Sequence, residues 1–320
     1  MDKILIYSDD TKEHNNSFII TTSIWGDKGS CFDYERSISE IIKNNERILG
    51  KDFKCFHGRN LNVRNWSTLS KPYLELINKL FNYIRLNYLH MLISLESKEK
   101  YDSNSKFLEN IFKEYLLNRN SPFGEIFKHI PEEDLIAIYK RAPNLYNYVA
   151  NRDKFGGPNQ MFEYYPDSSG KVLNYRNEIR SVESPGIGKG IPILLHFFEI
   201  IRLIGDNLAK ALNEPKIRNR IGWEEKPFNQ KLVKFEPKND EDSYLIQSAD
   251  VMSNFFLHLI RHLVGIRNRN SEKKAKILID SGLFDDCLDK IKENFRIQNG
   301  ACVCSNSNLK VGIILQSDTF

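Results

Sequence analysis

Apolar positions alternate or cluster early in the chain in the manner of strands. KILIYS, residues 3 to 8, has branched and aromatic residues at Ile4, Leu5, Ile6 and Tyr7, and it runs into two adjacent acids, Asp9 and Asp10. SFIITTSIW (17 to 25), rich in β-branched residues, reads as an antiparallel partner across a polar loop. The spacing then lengthens: Ile38, Ile41, Ile42, Ile48 and Leu49 share one side of a helix over DYERSISEIIKNNERIL. A short strand is predicted at DFKCFH (52 to 57). An amphipathic helix over PYLELINKLFNYIRL follows, with Pro72 in its first turn, where proline is tolerated. HMLISLES (90 to 97) is a further strand.

Between about 100 and 185 the pattern changes. KFLENIFKEYLL and EEDLIAIYKRA are helical, while FGGPNQMFEYYPDSSGKV and SPGIGKGIP read as loops. Helical spacing returns at ILLHFFEIIRLIGDNLAKAL, a short strand at KLVKFEP, and a long helix at SYLIQSADVMSNFFLHLIRHLVG. A helix around FDDCLDKIKENF and two strands, FRIQNGACVC and LKVGIILQ, complete the reading. The expected class is α/β, with a core in residues 1–100 and 190–320 and a helical and loop insertion at 101–189.

The long helix carries an unusual stripe. At 100° per residue Gln247, Asp250, Asn254, His258, Arg261 and His262 fall together, opposite Met252, Phe255, Phe256, Leu259, Ile260 and Leu263. Solvated helix faces elsewhere in the chain are dense in Lys and Glu; this stripe has neither. Its residues are hydrogen-bonding and metal-capable types, although His258 and His262 at i and i+4 have no obvious third zinc ligand.

Composition narrows the class without choosing a partner. The 320 residues are 41% hydrophobic and 28% charged, as in an ordinary globular chain, and 46 basic against 42 acidic residues leave a net charge of only +4. Five scattered cysteines form no CxxC, which argues against a disulfide framework or zinc knuckle; Cys302 and Cys304 share a face of a predicted strand. No signal-peptide pattern and no apolar run of membrane-spanning length is present, so a cytoplasmic location is the expectation and a membrane partner is not. GIGKGIP lacks the full phosphate-loop spacing.

The Asp9-Asp10 doublet poses the chemical question. Two like charges at the end of an apolar strand are costly in a core unless a cation neutralises them; the alternative is a polar turn. Oxygen ligands suit magnesium or manganese (Mg²⁺ or Mn²⁺). The chain resembles the family "domain of unknown function 3800", regarded as RNase H-like. Tyr7-Ser8-Asp9-Asp10-Thr11 is similar to its opening Tyr-x-Asp-Glu-Ser, and Ile246-Gln247-Ser248-Ala249-Asp250 to its Leu-Gln-x-Ala-Asp. Its Glu-x-Lys or Glu-x-His element has Asp52-Phe53-Lys54 as one match and Cys55-Phe56-His57 as the rival register. Asp10 replaces the usual Glu and shortens the reach by one methylene.

The resemblance implies an RNase H-like mixed sheet flanked by helices, with Asp9, Asp10 and Asp250 as metal ligands and Asp52 a further catalytic acid. Glu96, ending its strand, is another candidate ligand, and Asp280 a reserve. Lys54 or His57 would contact phosphate or position water, while Gln247, Asn254 and His258 would support the ligands by hydrogen bonding. Arg218 and Arg220 in KIRNRIG, with Arg267 and Arg269 in GIRNRNSEKKAK, would line a phosphate track. The expected activity is metal-dependent cleavage of DNA or RNA, in a defence context, with a protein partner or homo-oligomer also open. The rivals are a non-catalytic nucleic-acid- or protein-binding module and a hydrolase of small phosphorylated molecules.

Overall fold

A computed structural model of the chain describes residues 3–12, 18–117, 147–149, 151, 154–156, 160–167, 213–220, 231–236, 238–263, 265, 268–285, 288, 303–306 and 311–315. The chain divides into two compact units, one of residues 2–102 and 240–320 and the other of residues 103–239. The expected boundary at 189/190, the helices at 132–142 and 193–212, the loop 184–192, most of 284–295, Arg267 and Cys302 lie outside the described residues.

The first unit is α/β, built on a five-stranded mixed sheet. Strands β1 (Lys3–Lys12), β2 (Phe18–Asp27) and β3 (His90–Ser97) form an antiparallel meander. Beyond it the C-terminal pair adds to β3. In chain order β6 (Val303–Asn306) precedes β7 (Val311–Leu315), and β7 lies parallel to β3 and antiparallel to β6. The strand does not end at the acidic doublet, as expected above. Pairing continues to Lys12 opposite Ile19, because β-branched Thr22, Thr21, Ile20 and Ile19 of β2 supply partners for Asp9 to Lys12.

Helix α1 (Lys28–Asn44) starts directly after β2, its first turn capped by the Asp27 carboxylate, which accepts from Ser30 N–H at 2.9 Å. A one-turn helix α2 (Glu46–Leu49) follows it. Residues 52–57 are not the expected strand: the Phe56 and His57 N–H groups bond to the side chains of Gln247 and Tyr73 rather than to a neighbouring strand, and a 3₁₀ turn follows at Gly58–Asn60. Helix α3 (Trp66–Arg85) begins six residues before Pro72, so the proline lies inside it; the Asn65 carbonyl nucleates the first turn by accepting from Thr68 and Leu69 N–H. The local sequence WSTLS, poor in strong helix formers, hides that start.

Helix α4 (Lys98–Leu117) leads into the second unit. There the segment 155–172, expected as a loop, contains strand β4 (Met161–Pro166), and β4 pairs in parallel with β5 (Lys231–Phe235). The aromatic residues Tyr148, Phe155, Phe162 and Tyr164 pack as a cluster beside these strands, which explains why a glycine-flanked stretch still forms one. Helix α5 (Pro215–Arg220) completes the described part of this unit.

The centre of the first unit is α6 (Tyr244–Leu263), which packs on β1, β2, α1, α3 and α7 (Arg269–Asp280). Both of its faces are covered. Leu245, Ile246, Met252, Phe255, Phe256 and Ile260 are buried, and so are Gln247, Asn254 and His258 of the polar stripe. Among the described residues no helix is long and apolar enough to cross a membrane.

Candidate functional site

The pleat of β1 separates the acidic doublet. Successive side chains of a strand point to opposite faces. Asp9 pairs with Thr22, whose hydroxyl lies 2.8 Å from Ser253 Oγ of α6, so Asp9 belongs to the α6 face. Asp10 pairs with Thr21 and projects from the other face, as does Glu96, which pairs with Ile19. Asp9 therefore stands apart from Asp10 and Glu96, two of the three acids expected to share its cation. Its Oδ1 accepts the Asp10 N–H at 2.7 Å, and its carbonyl lies 3.2 Å from Ser253 Oγ.

Asp9 instead meets an acid that the sequence reading did not single out. The carboxylate oxygens of Asp9 and Asp240 approach within 4.8 Å. Asp240 opens a one-turn 3₁₀ helix just before α6, and the Gln247 side chain ties that turn down by donating to the Asp240 carbonyl at 2.7 Å. The same amide accepts the Phe56 N–H at 3.0 Å, so a fully buried Gln247 fastens two loops to one helix.

His57 joins the acids. Its Nδ1 lies 3.1 Å from Asp250 Oδ2 and 3.3 Å from Asp240 Oδ2, while its Nε2 lies 3.1 Å from Cys55 Sγ. The hydrogen bond to Asp250, then that to Cys55, pushes the imidazole up to about 10 from the ordinary 6.5, against the opposing effect of burial. At neutral pH His57 is a cation between two carboxylates. Tyr73 holds its backbone, the hydroxyl accepting from His57 N–H at 3.2 Å and donating to His57 O at 2.9 Å.

Asp250 Oδ2 also accepts the Gly58 N–H at 3.1 Å. That close approach needs glycine: a Cβ at position 58 would lie 2.4 Å from Asn254 Cβ. Behind the turn, Lys274 of α7 is completely buried and donates from Nζ to Gly58 O and to Asn254 Oδ1, both at 2.7 Å. Burial pulls this ammonium down to about 7, partly countered by Asp250. His258 lies further along, its Nδ1 2.9 Å from Ser271 Oγ, and burial lowers it to about 3. It is a neutral packing histidine.

The remaining candidates lie elsewhere. Asp52 is exposed in a turn, Lys54 is exposed and paired with Glu241 at 3.4 Å, and Asp280 is exposed at the end of α7. Arg269 is exposed at the start of α7, and Arg218 and Arg220 sit in α5 of the other unit. Of the expected residues, the structure gathers Asp9, His57, Asp250, Gln247 and Asn254 about α6. Asp240 and Lys274 are the additions. Asp240 was hidden in KNDED, a run that reads as a solvated loop, and Lys274 in a basic stretch that reads as surface.

Oxygen donors that meet from β1 and from the turn before α6 can hold a metal ion, and carboxylates alone suit a hard divalent cation. No family model, no curated protein and no solved structure matches the chain.

Proposed function

We propose that the chain is a metal-dependent phosphodiesterase with an RNase H-like core, cleaving DNA or RNA strands. The observation that carries this reading is the approach of Asp9 and Asp240 to within 4.8 Å, with Asp250 linked to Asp240 through a shared His57. The antiparallel β1-β2-β3 meander with an acid on its first strand supports the same reading, as do the motif likenesses around Asp9 and Asp250. Asp9 and Asp240 would hold Mg²⁺ or Mn²⁺, with Asp250 adjoining. When bound, such a cation supplies activation of water and stabilisation of the departing oxygen.

The chain's own groups prepare the site. His57 balances the charge of Asp240 and Asp250 and keeps a proton at Nδ1; Gln247 fixes the turn that carries Asp240. Exposed Lys54 and Arg269 offer cations to a phosphate backbone. The test is cleavage of end-labelled single- and double-stranded DNA and RNA with Mg²⁺ or Mn²⁺. Cleavage abolished by EDTA and reduced at least a hundredfold in folded Asp9→Asn and Asp250→Asn proteins is the expected outcome. Absence of cleavage on all four substrates, or cleavage indifferent to Asp9→Asn, overturns it.

One observation favours a second reading. His57 alone already compensates two carboxylates, so the cluster can serve as a polar network in a binding module. That module would bind nucleic acid with a steep salt dependence and would do so equally well as Asp9→Asn.

A further inference from the structure

We propose that the loop of residues 59–66 and the exposed face of α7 form a platform for single-stranded nucleic acid, with Trp66 stacking a base and the surrounding cations holding phosphates. The charge comes from two stretches that meet. RNLNVRNW (59–66) has exposed Arg59 and Arg64 and no acid, and α7 places exposed Arg269, Lys273 and Lys276 on one side at i, i+4 and i+7. Glu272 is the single exposed acid within these two stretches, so the face is complementary to a phosphate chain. Exposed Lys54 and Lys71 have acids in reach, Glu241 and Glu75; among the described residues Arg59, Arg64, Arg269 and Lys276 are in no ion pair.

The two stretches are joined at two points. Lys274 of α7 donates to Gly58 O at 2.7 Å, and Lys273 Nζ lies 5.0 Å from the centre of the Trp66 ring. The second contact is the informative one. It holds a cation beside an indole that is only partly buried, an arrangement in which a base can stack on the ring while its phosphate meets the ammonium. A duplex keeps its base faces in its own stack, whereas a single strand offers them. The loop is also built in advance of any ligand. Asn65 Oδ1 accepts the Asn62 N–H at 2.9 Å, Asn65 Nδ2 donates to Asn60 O at 2.6 Å, and Asn62 Oδ1 accepts the Arg64 N–H at 3.0 Å. These asparagine side chains bind the loop's own backbone and leave the two arginines facing water.

The platform adjoins the acids, because Gly58, where the loop begins, bonds to Asp250. Its place as a substrate surface rests on the phosphodiesterase reading and narrows that reading to single strands; binding itself needs no metal. The experiment follows the fluorescence anisotropy of labelled oligo(dT), oligo(rU) and a DNA duplex, each about 15 units long, with the whole chain in EDTA. The preferred single strand should bind at least about tenfold more tightly than the duplex. Tighter binding of oligo(dT) or of oligo(rU) names that strand as DNA or RNA, and either supports the platform. Trp66→Ala should weaken the single strand about tenfold and leave the duplex unchanged. Replacing both arginines, Arg59→Gln with Arg64→Gln, should lower the slope of log affinity against log salt by about 1.4. Equal binding of duplex and single strand by the unaltered chain overturns the proposal without recourse to any variant. So does an unchanged salt slope in the arginine variant, or displacement of the oligonucleotide by poly-glutamate at equal charge, which would assign the face to an acidic protein. Cleavage lost while this binding persists sinks the phosphodiesterase reading alone; cleavage that persists without it sinks the platform alone.

Discussion

Gly58 has no side chain, yet the site depends on what it leaves out. Its N–H reaches Asp250 and its carbonyl reaches Lys274 only because the turn lies against α6, where a methyl group would come within 2.4 Å of Asn254 Cβ and 3.1 Å of Asp250 O. Neither obstacle is a flexible side-chain end. Gly58→Ala should therefore push the turn off the helix and cost about 1–3 kcal/mol by overpacking. A urea titration will show the lowered midpoint. The His57 imidazole, losing its hold on Asp250, should titrate closer to its ordinary 6.5 when followed by NMR. An unchanged His57 titration would mean that the turn does not position it.

Between elements, the most consequential link is α1 to α6. The Glu35 carboxylate accepts from the Ser243 hydroxyl at 2.7 Å and from the N–H groups of Tyr244 and Leu245 at 2.8 and 3.1 Å. It satisfies donors that a helix start leaves bare, and its charge suits that end of the dipole. Glu35→Ala should cost about 1–3 kcal/mol in chemical unfolding, and Glu35→Gln less, since an amide oxygen can still accept.

The same scale shows what pattern reading can and cannot reach. Helix α6 was legible from its 3.6-residue period, and β1, β2 and β3 from their branched residues. The segment 52–57 was not, because its backbone bonds go to Gln247 and Tyr73, residues distant in sequence, and local composition cannot distinguish such bonds from a strand ladder. At the candidate site, motif likeness singled out Asp9, His57 and Asp250 as expectations. The split between Asp9 and Asp10 follows from the alternation of a strand that continues past them, and that continuation depends on β2. Lys274 gave no signal, since a buried lysine looks like a surface one until its acceptors, Gly58 O and Asn254, are in place.

Across the whole molecule, half-buried His57 and buried Lys274 give stability opposite dependences on pH. His57 stands at about 10 when folded against 6.5 ordinarily, so the stability it confers is complete below 6.5 and is lost as pH rises through 10. Lys274 stands at about 7 against 10.5, so between those values the unfolded chain binds the extra proton and stability grows with pH. Each slope is at most about 1.4 kcal/mol per pH unit. From pH 7 to 10 they should nearly cancel. Unfolding free energies measured across this window should fall with pH in Lys274→Met and rise with pH in His57→Gln. Parallel curves in the two variants would show that the opposition is absent.

Strand β3, paired with β2 on one side, gains its neighbour on the other side only from the distant β7, with Leu92 opposite Gly312. Until that distant partner arrives, the meander offers an open row of amides and carbonyls to any extended peptide nearby. Freshly made or refolding chains should accordingly be prone to join edge to edge at high concentration. A short synthetic peptide copying residues 309–316 should suppress that clumping by occupying the edge first.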